Sequence, residues 1–222
     1  MRTDLRLSPW SVSGTGNCWD DAFLESIFFL GNGRMGIRGY IPMEPEDRPI
    51  QKGVYLAGIF GEIKPGITDF VNLPTPVYDS ILLDGEAGTL SSPIERYLDM
   101  KAACFTARFS LTAKQKTVDV AYSRFLPKEH PALILQRLKL IPHENVEISV
   151  ASGLMTDSCN SPIPDDQTKE NTETIQLSLL EEASGAPQGI TADFRIRGTG
   201  LSVRENVRFH STTFQFIGGK DT

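Results

Sequence analysis

Three sets of residues in this sequence have types and spacings that could do chemistry: a glycine cluster, several groups of neighbouring carboxylates, and a few scattered histidines and cysteines. The cluster Gly31-x-Gly33-x-x-Gly36 has the spacing of a dinucleotide-binding fingerprint. In that motif the start of a helix offers free N–H groups and a positive dipole end to a pyrophosphate. A helix must therefore follow the glycines. The chain instead runs Ile37-Arg38-Gly39-Tyr40-Ile41-Pro42-Met43-Glu44-Pro45-Glu46-Asp47-Arg48-Pro49. Proline inside a helix removes a hydrogen bond and clashes with the preceding turn, at about 3 kcal/mol or more. No cofactor helix fits there, and the glycines are expected where strands turn sharply and backbones approach closely.

Paired carboxylates suit general acid–base work if one of them is partly buried, which raises its pKa. The pairs here are Asp20 with Asp21, Glu44 with Glu46 and Asp47, Asp165 with Asp166, and Glu181 with Glu182. All fall in polar stretches and read as solvated. The residue types permit a Ser-His-Asp arrangement, but no serine sits in a nucleophile-elbow context, and His130-Pro131 reads as ordinary turn chemistry. His130, His143 and His210 share no ligand spacing with one another or with Cys18, Cys104 and Cys159, so no metal site is expected. The cysteines, scattered and odd in number, read as reduced thiols rather than a disulfide frame. No catalytic residue, substrate-binding residue, metal ligand or cofactor is assigned on these grounds. Trp10, Trp19, Tyr55, Phe60, Phe70 and Tyr78 could stack on a sugar ring. Aromatics in a strand-rich chain mostly belong to the core, and Trp10 and Trp19, in the less regular N-terminal stretch, are the best of the set.

The elements that must position these residues are strands. In Cys104–Leu111, Phe105, Ala107, Phe109 and Leu111 alternate with Thr106, Arg108 and Ser110. That period of two marks a strand with one face in a core. The same alternation recurs at Val118-Val120-Tyr122, Val146-Ile148-Val150, Ile175-Leu177-Leu179, Ile190-Ala192-Phe194-Ile196 and Phe214-Phe216. Leu133–Ile141 is longer and more apolar, as a central strand would be. Asp84-Gly85 after Ser80–Leu83 signals a tight hairpin, and Pro142–Asn145 and Gly198-Thr199-Gly200 punctuate later strands. One short helix is expected near Trp19–Phe29, capped by Asp20, with Phe23 and Ile27 facing inward. Ile41–Lys52 and Gly153–Thr174 read as loops. There is no internal repeat and no interdomain linker. The expectation is an all-β chain, a single two-sheet antiparallel β-sandwich domain over residues 1–222, with at most one or two short helices.

The chain of 222 residues has 40% hydrophobic and 23% charged residues, a formal net charge of -6 and a pI near 5.1. An acidic balance argues against nucleic acid or an anionic membrane as a main partner. No apolar run is long enough to span a bilayer, and Met1–Arg6 lacks the apolar core of a signal peptide. A cytoplasmic location is expected.

Glu25-Ser26-Ile27-Phe28 through Gly31-Asn32-Gly33-Arg34-Met35-Gly36-Ile37-Arg38-Gly39 resembles the N-terminal signature of glycoside hydrolase family 65, the maltose, trehalose, kojibiose and nigerose phosphorylases. Gly53–Phe60, Val71-Asn72-Leu73-Pro74, Tyr97–Lys101 with Phe105–Phe109, Ser123–Leu126 and Ala151–Leu154 resemble later segments of that family in the same order. The resemblance covers most of residues 10 to 155. It departs at Met35, where a bulkier residue is common, and after Thr156. It implies a large β-sandwich similar to the sugar-mutarotase fold, followed in the family by an (α/α)6 barrel that carries the general acid and the phosphate site. Inverting phosphorolysis or hydrolysis of α-linked glucosides takes place there. The 222 residues show no such barrel, so no catalytic position carries over. The expected role is support of the catalytic barrel and of a homodimer, with Ile41–Lys52 and Phe60–Pro76 reaching a partner surface. Inorganic phosphate would be a co-substrate of the parent enzyme, and a disaccharide its substrate. The signature residues are expected to be architectural, with Arg38 bridging carboxylates or carbonyls. An independent carbohydrate-binding module is the alternative, and an aldose epimerase with a buried Glu–His pair a more distant one.

Overall fold

A computed structural model describes residues 4–16, 22–41, 53–156, 158–160, 175–186 and 188–211, with side chains described for all of these except 22 and 76–80. In chain order the elements are β1 (Asp4–Ser8), β2 (Ser11–Gly16), α1 (Ala22–Ile27), β3 (Leu30–Gly31), β4 (Met35–Ile37), β5 (Val54–Leu56), β6 (Phe60–Lys64), β7 (Ile67–Phe70), β8 (Thr75–Leu83), β9 (Glu86–Ala87), β10 (Thr89–Leu90), β11 (Ile94–Asp99), β12 (Cys104–Ala113), β13 (Lys116–Phe125), β14 (Leu135–Pro142), β15 (Ile148–Met155), β16 (Ser178–Ala186), β17 (Gly189–Ile196) and β18 (Ser202–Arg208). The expected all-β, antiparallel class holds, with one six-residue helix among the described residues. The chain divides into two compact units, residues 1–48 with 77–152 and residues 49–76 with 153–222.

The first unit is built on a sheet in the order β1-β2-β11-β12-β13-β14, with β10 pairing the far end of β12. Its inner face carries the alternating residues. Ile94, Phe105, Ala107, Phe109, Leu111, Val118, Val120 and Tyr122 are all buried. Each large apolar side chain so placed contributes about 1.5–3 kcal/mol. The β12–β13 hairpin pairs ten residues in unbroken register, from Cys104↔Phe125 to Ala113↔Lys116. Its turn residues Lys114 and Gln115 both take positive φ, 48° and 63°. Primed turns need that hand to match the twist of the strands. The β8–β9 turn does the same with Asp84 at 49° and Gly85 at 80°.

The second unit contains the hairpin β6–β7 and the sheet β16-β17-β18. Leu177, Ala192, Phe194 and Ile196 form its buried side. Asn72 and Asn160 link its segments. The Asn72 backbone N–H donates to Asn160 Oδ1 at 3.1 Å, Asn72 Nδ2 donates to the Cys159 carbonyl at 3.0 Å, and Ser178 Oγ donates to the Asn72 carbonyl at 3.2 Å.

Four expectations need correction. Leu133–Ile141 gives β14, which lies at the end of its sheet rather than in the centre. Its inward positions Leu138 and Leu140 are only half-buried, at the margin of the face whose centre holds Val120 and Tyr122. Within α1 it is Leu24 that is buried, with Phe28 just beyond, while Phe23 is 58% exposed. A helix of six residues has room for one narrow apolar stripe, and Phe23 falls off it. Ile175 makes an isolated bridge to Asn160 instead of starting a strand, and Leu177 is buried just ahead of β16. Phe60 and Phe70 stand outside the core, as described below. Asp20, Trp19 and the Phe214-Phe216 strand lie outside the described residues.

Candidate functional site

The glycine-rich signature occupies the turn from α1 into β3 and β4. Met35–Ile37 is a strand, and residues 38–41 continue without helix. The dinucleotide reading is therefore excluded where the described residues allow a test. Asn32 shapes the turn. Its Oδ1 accepts from the backbone N–H groups of Arg34 at 3.1 Å and Met35 at 2.8 Å. Its Nδ2 donates to the carbonyls of Pro127 at 3.2 Å and Pro131 at 3.1 Å, in the connection from β13 to β14. Gly33 takes φ of 92°, which a residue with a Cβ rarely adopts. At Gly39 a Cβ would collide with Phe28, whose carbonyl oxygen would lie 2.7 Å away.

Charge is sealed into the same place. Glu25, on α1, is 4% exposed. Arg38 Nε reaches its Oε2 at 3.1 Å, and Arg38 Nη2 donates to Ser26 Oγ at 3.0 Å. The Gly39 N–H donates to the Glu25 carbonyl at 2.8 Å, so helix and strand are joined by backbone as well as by charge. Arg124, on β13, donates through Nη1 to the Arg38 carbonyl at 2.7 Å. Its guanidinium lies 4.2 Å from the centre of the Tyr40 ring and 5.2 Å from that of Tyr122. Phe105 then touches Phe28, with ring centres 5.5 Å apart, and Tyr122, at 6.4 Å. Asn32, Glu25, Arg38 and Arg124 thus bind backbone, one another and aromatic faces. The arrangement can hold a helix on a sheet; none of these groups is presented as an acid, base or nucleophile.

The other candidate groups scatter. Glu181 and Glu182 are exposed, as expected. Asp20, Asp21, Glu44, Glu46, Asp47, Asp165 and Asp166 lie outside the described residues. His130 and His210 are exposed. His143 does meet an aspartate and a serine. Its Nε2 is 2.9 Å from Asp119 Oδ2, and Ser110 Oγ donates to Asp119 Oδ1 at 2.7 Å. The order is wrong for nucleophilic catalysis, since the serine faces the aspartate and not the imidazole. These hydrogen bonds, with His143 first for Asp119 and Asp119 first for His143, push the aspartate below and the imidazole above their usual values. Cys104 and Cys159 are free thiols, and burial pushes the Cys104 thiol up, away from reactivity. No group of three or more His, Cys, Asp or Glu suited to a metal occurs among the described residues.

Of the aromatics, Trp10 is 58% exposed with Lys101 over its ring. Phe60 and Phe70, expected in the core, are 41% and 50% exposed and lie as a cross-strand pair on β6–β7 with ring centres 4.6 Å apart. A two-stranded hairpin has two faces, and Gly61 and Ile63 fill the buried one, which leaves the phenylalanines outward. Tyr55 is half-buried; Trp19 and the Tyr78 side chain lie outside the description.

Two carboxyls withdrawn from water, one buried and one half-buried, escaped the sequence reading, as did the buried Arg96 and Arg124. Glu25 belonged to the signature but showed no sign of burial. Glu205, on β18, has its Oε1 buried without a partner, and desolvation pushes its carboxyl up to about 8. The alternation Val203-x-Glu205-x-Val207 was the signal that a carboxyl faces inward there.

The strand-dominated architecture and the sealed signature define an antiparallel all-β domain whose signature residues are engaged in its own structure. Residues 20–216 match the family model for the glycosyl hydrolase family 65 N-terminal domain, and the chain belongs to that family. It is similar to a kojibiose phosphorylase of Halothermothrix orenii, at 27% identity over 63% of this chain and 18% of that protein. It is also similar to a nigerose phosphorylase of Lachnoclostridium phytofermentans, at 26% identity over 68% of this chain and 19% of the other. A trehalose 6-phosphate phosphorylase of Lactococcus lactis matches at 25% identity over 46% of this chain. The chain thus spans under one fifth of the length of these curated relatives. A solved structure described as a kojibiose phosphorylase from the human microbiome shares the fold, with a TM-score of 0.69 at 14% identity, covering 96% of this chain and 29% of that one. No helix among the described residues is long and apolar enough to cross a membrane.

Proposed function

We propose that this chain acts as the non-catalytic N-terminal β-domain, its two units working together, of an inverting α-glucoside phosphorylase or hydrolase. Its partners are a C-terminal (α/α)6 barrel, a disaccharide met through that barrel, and a second copy in a dimer. Inorganic phosphate is the co-substrate of the parent enzyme if it is a phosphorylase, as the relatives are. A cytoplasmic site of action belongs to the same reading. One observation carries it: the polar signature groups are engaged in holding α1, β4 and β13 together, which is the work of a support. The purified 222-residue chain, given phosphate with kojibiose, nigerose or trehalose 6-phosphate, is expected to release no sugar phosphate. Measurable turnover would overturn the assignment.

The alternative of a carbohydrate-binding module has one observation in its favour, the outward Phe60–Phe70 pair. Calorimetric titration with maltose, trehalose, kojibiose and glucose separates the readings. Tight binding that disappears in Phe60→Ala selects the module. The epimerase reading loses ground, since His130, His143 and His210 are all exposed.

A further inference from the structure

Arg124 heads the fully buried side chains of the described residues by size, at 1% exposure. A guanidinium offers two edges and two faces. The rings of Tyr40 and Tyr122 lie 4.2 and 5.2 Å from the centre of this one, and Nη1 donates to the Arg38 carbonyl. Nε and Nη2 are buried and have no acceptor. Those two nitrogens form the side edge of the group, the fork whose parallel N–H bonds match the two oxygens of a carboxylate. Directly across the ladder from Arg124 stands Gln136 on β14, and its Nε2 is likewise buried without an acceptor. Cross-strand neighbours have Cβ atoms about 5 Å apart and share a face. Three buried donors without acceptors are therefore held at one rung of the ladder, and unsatisfied donors around a positive charge favour an anion. The one buried carboxylate among the described residues of this unit, Glu25, is held by Arg38. A buried cation left unneutralised is costly, so the fork has a thermodynamic preference for a charged acceptor.

We infer that the Nε–Nη2 edge of Arg124, together with Gln136 Nε2, is a binding site for a small carboxylate. The Tyr40 and Tyr122 rings crowd the guanidinium, at 4.2 and 5.2 Å from its central carbon, which favours a small anion, and the parallel N–H bonds of the Nε–Nη2 edge match the two oxygens of a planar carboxylate. Entry is over β14, the last strand of its sheet, where Gln136 and Leu138 are half-buried. The inference does not depend on the proposed role of the chain.

The test follows the arginine Nε–Hε NMR resonances of the 222-residue chain during titration with sodium formate, with sodium chloride at matched ionic strength as control and sodium phosphate as the tetrahedral comparison. Arg124→Lys identifies the Arg124 signal by its loss. A saturable formate shift of that signal, absent with chloride and smaller with phosphate, is the expected result. Gln136→Leu, on the end strand and half-buried, should weaken formate binding roughly tenfold, as befits one hydrogen bond to a charged group. Should Arg124→Lys not fold, Gln136→Leu and the wild-type titration still decide. A shift that does not saturate, one equal in chloride, or one equal in phosphate overturns the carboxylate site, as does an unaltered affinity in Gln136→Leu.

Discussion

Glu25 and Glu205 are both carboxyls drawn out of water, one in each unit, and the chain treats them in opposite ways. Glu25 is given a cation, Arg38 at 3.1 Å, and the α1 backbone is tied to Gly39 next to it. Glu205 has an Oε1 without a partner, and desolvation holds its proton up to a pH of about 8. The contrast is one of partners: desolvation acts on both, and only Glu25 has a cation to oppose it. It also separates a position where charge fastens two elements from one where a carboxyl is tolerated in neutral form.

The largest effect that would break the comparison lies at Glu25. Arg38→Met strands a buried carboxylate, and unfolding by denaturant should show a loss of about 3–5 kcal/mol. The double change Glu25→Gln with Arg38→Met should recover part of that loss. If Arg38→Met costs less than about 1 kcal/mol, the pair is not a fastening.

A smaller effect is expected at Glu205, and its sign is opposite to that of a paired acid. The folded chain binds this proton more tightly than the unfolded one, whose carboxyl titrates near 4.5. Stability contributed by the protonated form is complete below that value, falls as pH rises toward about 8, and is level above. The group is part-exposed, so the drop should be roughly 2 kcal/mol rather than the full value implied by the shift. Glu205→Gln should abolish this portion of the pH slope, measured as denaturation midpoints between pH 5 and 9. An unchanged slope would place the carboxyl in water.

The smallest effect sharpens the comparison at the surface, where Asp119 and His143 are paired and exposed. The aspartate is lowered and the imidazole raised, so the pair is doubly charged between those two values. It weakens when pH falls through the aspartate or rises through the histidine. An NMR titration should place His143 above 6.5, and Asp119→Asn should bring it back toward that value. A His143 midpoint indifferent to Asp119→Asn would dissolve the pair.

The β12–β13 core was legible because Phe105, Ala107, Phe109 and Leu111 alternate without a break, and alternation reports a half-buried strand whatever surrounds it. The Asp84-Gly85 turn was legible for the same local reason. The exposure of Phe60 and Phe70 was not, since each face of the hairpin mixes apolar with polar or small residues, Phe60 with Glu62 and Lys64 and Ile63 with Gly61, and so does not say which one meets a core. Nor did the composition of Leu133–Ile141 reveal that β14 ends its sheet, because strand order is set by distant pairing. Within the candidate site, the glycines and Arg38 could be read as architectural from the sequence. The partnership of Glu25 with Arg38 and of Arg38 with Arg124 joins residues 13 and 86 positions apart, and nothing in a local pattern carries that.

The β12–β13 hairpin has a consequence for the order of assembly. Its ten residue pairs close around a two-residue loop, so they form with little loss of chain entropy. The sheet of the first unit can grow outward from this ribbon, β11 and β14 adding to its two sides. Amide protons at Phe109 and Val120 should then be among the last to exchange with deuterium, and those of β1, at the opposite margin, among the first.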